Sequence, residues 1–118
     1  MKDQKEFLRK FRLKPKKIEI KVGEGTEEAY ILPLSANLML WLFQSGTYTR
    51  EVTHDQIYRV VKYCVSEPDG SRVFEDDFPE MGIGDCIELD ICAQIYEKVM
   101  SMYGPKGHQE SVLKKQDA

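Results

Sequence analysis

Glu75-Asp76-Asp77 is the densest run of carboxylates in the chain, and hard divalent cations take oxygen ligands of this kind. The spacing argues against a metal site. It lacks an alternating D-x-D-x-D-G loop, and no histidine lies beside it. Solvated acids at a helix start account for the run better. His54 and His108 are the only histidines. His54 falls in the first turn of a predicted helix and His108 in a polar C-terminal stretch. Neither has metal-ligand spacing or a nucleophile motif nearby, and general acid–base work needs a positioned partner. Cys64, Cys86 and Cys92 are odd in number and form no CxxC pair. Each falls on a predicted apolar helix face, so buried, reduced thiols are expected. Gly23-Glu24-Gly25 and Gly82-Ile83-Gly84 are lone GxG triplets without the phosphate-binding context, and turns explain both. No enzyme, metal or cofactor is expected from these residues.

The elements that would position a binding surface are clearer. Ala29 to Phe43 is the most apolar stretch and holds the only tryptophan, Trp41. Ser35 is a good N-cap for a helix running to about Gln44, with Leu34 and Met39 placed as a hydrophobic staple. Leu38 to Phe43 is apolar without a break, so such a helix needs cover on every side. Upstream, Lys17 to Val22 alternates charged and β-branched residues, with Ile18, Ile20 and Val22 on one face. Gly23 to Thr26 is turn chemistry, and Glu28 to Leu32 returns as a strand that Pro33 ends. A lone hairpin is marginal, so this one must lie on helices or join a neighbour's sheet.

Two further helices follow. Thr53-His54-Asp55-Gln56 fits a capping box, and Ile57, Val60, Val61, Cys64 and Val65 form an amphipathic stripe, with Arg59, Lys62 and Tyr63 off it. Glu67-Pro68-Asp69-Gly70 is a turn. Arg72-Val73-Phe74 is read as a short extended piece that puts Val73 or Phe74 into the core, and Glu75 to Met81 as one helical turn or a tight loop. Asp85, with Glu88 three residues on, is expected to cap the longest helix, whose stripe is Cys86, Leu89, Cys92, Ile95, Tyr96, Val99 and Tyr103. Gly104-Pro105 ends it. The expected fold is therefore α+β, mostly helical: an N-terminal β-hairpin packed on three or four helices in a single domain over residues 17–104. A basic arm (1–16) precedes it, and a polar, flexible tail (105–118) follows.

Charge is unevenly spread. The chain of 118 residues carries −3 overall. Residues 1–17 hold eight Lys and Arg against Asp3 and Glu6, a net +6, which leaves −9 on the rest. Glu67 to Asp90 holds nine acids against one base, Arg72. Such polarity suits association of one copy's arm with another's body. A pI near 5.4 and the lack of an aromatic-basic surface pattern argue against nucleic acid as the ligand. No apolar h-region follows the basic start, and Ala29 to Phe43 is shorter than the roughly 20 residues of a membrane span. A cytoplasmic protein without a membrane partner is expected. Asp3 to Arg12 could form a short helix with Phe7, Leu8 and Phe11 on one side. Phe7, Phe11, Leu38, Trp41 and Leu42 are the candidates for self-association or client contact. Trp41 is expected in the core, and the rim of its helix at the assembly face.

The order of segments resembles the tail assembly chaperones of long-tailed phages. The likeness rests on Leu32-Pro33-Leu34-Ser35-Ala36 leading into a helix, on Glu67 to Asp77 (a turn, then Val73-Phe74, then acids), and on the helix from Asp85 to Tyr103 closed by Gly104. Together these span roughly residues 17–104. The helix from Ala36 departs from the family by being more apolar. The resemblance implies a non-enzymatic protein that coats the tape measure protein, keeps its hydrophobic helices soluble while tail tube protein assembles around it, self-associates, and is absent from the finished tail. It also implies that a longer, frameshifted form is worth looking for near Leu113-Lys114-Lys115. The other reading of the residues is a small acidic regulatory or inhibitor module that blocks one globular partner.

Overall fold

The computed structural model describes residues 3–44 and 53–104. They form one α+β globule, mostly helical, in which a three-stranded antiparallel sheet of order β1-β2-β3 packs with helices. The predicted tail and the stretch from Thr47 to Val52 lie outside the described residues.

The hairpin joins β1 (Lys16–Val22) to β2 (Gly25–Ile31) in the register Ile18↔Ala29 and Ile20↔Glu27. Cross-strand partners share a face, so Ile18 and Ile20 point inward together with Ala29 and Ile31. Val22 runs past the edge of the core and is exposed. The loop is shorter than the sequence reading made it. Val22 pairs with Gly25, leaving only Gly23-Glu24 between the strands. Gly23 has φ +61° and Glu24 does not share the positive φ, the pattern of a II′ hairpin turn that favours glycine first.

The hairpin does not stand alone. After α3 (His54–Cys64) the chain turns at once into β3 (Val65–Ser66), which pairs Val65 with Ile31 and Ser66 with Tyr30. Val65 is thus not the last residue of the helical stripe. A β-branched residue loses little by going extended, and there it completes the sheet. The other edge, β1, is closed by a side chain. The Gln94 amide accepts from Lys21 N at 2.8 Å and donates to Lys21 O at 2.9 Å, imitating a strand neighbour.

The capping box of α3 is present as read: Gln56 N–H donates to Thr53 Oγ1, and Thr53 N–H donates to Gln56 Oε1. Ser35 caps α2 (Ala36–Gln44) by accepting from Leu38 N at 3.1 Å. The longest helix starts later than expected. Asp85 lies inside a separate helix, α4 (Glu80–Cys86); Ile87 is extended, Glu88 is the N-cap, and α5 runs Leu89–Tyr103. The break at Ile87 lets Ile83 of α4 and Cys92 and Ile95 of α5 enter one core. Two expected stripe residues fall outside as a result: Cys86 is exposed at the end of α4, and Leu89 is exposed at the start of α5.

The core is centred on α3 and α5 under the hairpin face, with Val60, Val61, Cys64, Cys92 and Val99 fully enclosed. The most apolar helix is not its centre. α2 packs mainly on α3, burying Leu38 and Leu42, while Trp41 is partly buried and Leu40 is 55% exposed. The described residues leave the Leu40 side of this helix uncovered. Of the predicted extended piece, Phe74 packs against the core beside Phe78, whereas Val73 is exposed.

Candidate functional site

Two surfaces gather the residues that could bind a partner. The first is α1 (Gln4–Phe11). It forms as the sequence directs, with Glu6 in its first turn, Arg9 and Lys10 in its last, and Phe7 stacked on Phe11 at 4.8 Å. None of its residues is buried, and Phe7, Leu8 and Phe11 are 59, 60 and 68% exposed. An eight-residue helix without tertiary support is marginal in water. This one carries an apolar stripe that nothing in the described chain covers.

The second surface is an open cleft of about 320 Å³ between the start of α2, one face of α3 and the segment after β3. Trp41 lies in its wall with the Arg59 guanidinium 4.1 Å above the indole. The Arg59 Nε donates to Glu80 Oε1 at 2.9 Å, so this arginine ties α2, α3 and α4 together. Across the cleft, Arg72 stacks 5.0 Å from the Tyr63 ring and pairs with Asp76. Lys62 lies beneath, 4% exposed. Its Nζ donates to the Asp76 carbonyl at 2.8 Å and lies 5.2 Å from the same tyrosine ring. No carboxylate among the described residues pairs with it. Ser35, Asn37 and Leu38 complete the lining.

The acidic run therefore has a local use. Asp76 holds Arg72 through its carboxylate and Lys62 through its carbonyl. Among the described residues, no group of three or more His, Cys, Asp and Glu side chains is placed to hold a metal ion. His54 is exposed, with Nε2 3.8 Å from Asp55 Oδ1. The buried thiols are held neutral: desolvation pushes Cys64 up to about 12 and raises Cys92. Burial also raises the Tyr103 phenol, with a smaller contribution from Cys64. Asp69 is lowered by the Ser71 hydroxyl and then by the Ser71 N–H, which donate to it at 2.7 and 2.9 Å.

The five candidate residues fall in three places. Phe7 and Phe11 are exposed on α1. Trp41, expected in the core, is partly buried against it and also lines the cleft, with the Arg59 guanidinium over its ring. Leu38 is buried but edges the cleft, and Leu42, 1% exposed, is wholly core and has no surface to offer a partner. Sequence reading passed over Arg59, Lys62, Tyr63 and Arg72. Their signal was present: Arg59, Lys62 and Tyr63 sit at i, i+3 and i+4 on one side of α3, and Arg72 is the lone base in an acidic stretch.

No protein-family model, curated protein or solved structure matches this chain. No helix among the described residues is long and apolar enough to cross a membrane.

Proposed function

We propose that the chain is a non-enzymatic assembly protein that self-associates through α1 and keeps a hydrophobic, helical client soluble, as tail assembly chaperones do for the tape measure protein while tail tube subunits polymerise. The observation that carries this is the apolar stripe of Phe7, Leu8 and Phe11, which nothing among the described residues covers, on a helix with no buried residue. Its basic residues are the complement of the acidic body, which supports a second copy as the arm's acceptor. The uncovered side of α2, with Leu40 exposed, supplies further apolar surface for a client helix. Host cytoplasm is the compartment this role requires.

The experiment is co-expression with a tape measure protein, together with light scattering of the purified chain on dilution. Rescue of the client's solubility and a concentration-dependent mass support the proposal. A mass that stays monomeric, with a client that stays insoluble, refutes it. A stable monomer that titrates one globular protein at one to one would instead identify the small regulatory module.

A further inference from the structure

We propose that the cleft between α2 and α3 is a binding site for one acidic side chain carried within an otherwise apolar segment of a partner protein. This stands apart from the role of α1, which lies on another part of the chain.

Charge makes the first part of the case. Arg59 and Arg72 line the cleft, each paired with one carboxylate, Glu80 and Asp76, and a third cation, Lys62, is buried next to Arg72 at the Tyr63 ring without lining the cleft itself. One positive charge is left over, and the buried Lys62, bonded only to a carbonyl and facing a ring, is where it resides. A buried charge without a counter-ion is unfavourable, and an incoming carboxylate relieves it. The arginines are built to receive one. Each guanidinium is oriented by an aromatic face, and one carboxylate on each leaves N–H donors over, since the group has five. An excess of one charge fits a monoanion. A phosphate dianion would overfill it.

The surroundings say what bears the acid. Asn37, Leu40 and Trp41 stand at i, i+3 and i+4, hence on one face of α2. Leu40 is 55% exposed there, one turn beyond the lining Asn37. Apolar surface thus borders the cationic cleft on the α2 side, and Val73, 44% exposed, follows Arg72 in the chain. This suits an acid carried among apolar side chains.

The sole tryptophan is the reporter. Trp41 emission is titrated with a capped peptide carrying one glutamate between leucines, with its glutamine counterpart, with the glutamine peptide bearing a free C-terminal acid, and with inorganic phosphate. The glutamate peptide should give a saturating change and bind at least about ten-fold tighter than either glutamine peptide. Phosphate should neither shift the emission nor compete. Arg72→Gln loses an exposed pair with Asp76 and the contact with the Tyr63 ring, and should bring the glutamate peptide down to the affinity of the glutamine one. If that variant fails to fold, the glutamate-to-glutamine ratio on the wild-type chain, shrinking as salt rises, decides the matter. Equal affinity for the two capped peptides, preference for the free terminal acid, competition by phosphate, or no binding at millimolar peptide each overturns the proposal.

Discussion

Removing the two aromatic rings of the arm tests whether α1 is an association element. In the monomer, Phe7 and Phe11 touch each other but bury nothing in the core. Phe7→Ser with Phe11→Ser should therefore leave the melting temperature of the monomer unchanged. The effect on assembly should be large. A phenylalanine offers at least about 150 Å², of which these keep 59 and 68% exposed, so docking hides roughly 100 Å² per ring. At about 25 cal/mol per Å² that is roughly 5 kcal/mol for one arm and 10 for a reciprocal dimer. Ordering and rigid-body losses oppose association, so half of this is a fair floor. About 5 kcal/mol raises the dissociation constant roughly 10³- to 10⁴-fold. Sedimentation equilibrium over a concentration series measures it directly, with circular dichroism as a check on the fold. A wild-type chain still monomeric at about 100 μM, where a micromolar contact would be nearly saturated, refutes the reasoning. So does a double variant that associates as well as its parent.

Other changes probe the interior. At pH 8 a thiol reagent should label Cys86 quickly and reach Cys64 and Cys92 only after urea, because those two are buried and held protonated. Cys64 also makes the fold alkali-sensitive. Below its ordinary 9.0 the thiol is neutral in both states; above it the unfolded chain ionises while the folded one stays protonated to about 12. Stability should therefore fall by about 1 kcal/mol per pH unit across that window, and Cys64→Val should flatten the fall in urea midpoints. Ser66→Ala should raise stability by about 1 kcal/mol, read as a higher urea midpoint at unchanged slope, since the buried Oγ has no hydrogen-bond partner among the described residues. A loss of stability instead would mean that the hydroxyl is bonded. Gly84→Ala should gain up to about 1 kcal/mol of helix propensity. It should lose more, because the new Cβ would sit 2.5 Å from Tyr58 Oη and 2.7 Å from its Cζ. A net drop of about 1 kcal/mol, roughly 4 °C, is expected by calorimetry.

The elements that follow from local chemistry were legible in the sequence. The period-two alternation at Ile18 and Ile20, the Ser35 cap and the Thr53–Gln56 box each need only near neighbours, and each lies where its residues put it. What failed needed distant partners. Whether Val65 ends a helix or starts a strand depends on Ile31, thirty-four positions earlier, offering a sheet edge. Asp85 and Glu88 have the right spacing for a cap, but the need to aim Ile83 into the core from a separate helix overrides it. Trp41 packs against the core only in part, and hydrophobicity alone does not reveal the guanidinium over its ring. The cleft was only partly readable for the same reason: Arg59 and Lys62 share one side of α3, but Arg72 lies thirteen positions after Arg59, beyond β3, and only the fold brings it to the Tyr63 ring.

The signs of the two candidate surfaces decide whether they compete. The arm carries six net positive charges through residue 17, and the cleft has one positive charge in excess, so the arm of one copy is repelled from the cleft of another. The arm must find acidic ground away from the cleft, which exposed Asp85, Glu88 and Asp90 between α4 and α5, none of them lining the cleft, supply. Self-association through α1, as proposed, would then leave every cleft open, and an assembly of n copies would present n of the proposed acid-binding sites. A client with several acid-bearing apolar helices would gain by effective concentration, commonly about 10²- to 10⁴-fold over one site. The Phe7→Ser, Phe11→Ser chain should accordingly bind the short glutamate peptide as tightly as wild type while losing most of its affinity for a client with repeated sites. If the short peptide binding fell in parallel, arm and cleft would be one surface, and the charge argument for their separation would be wrong.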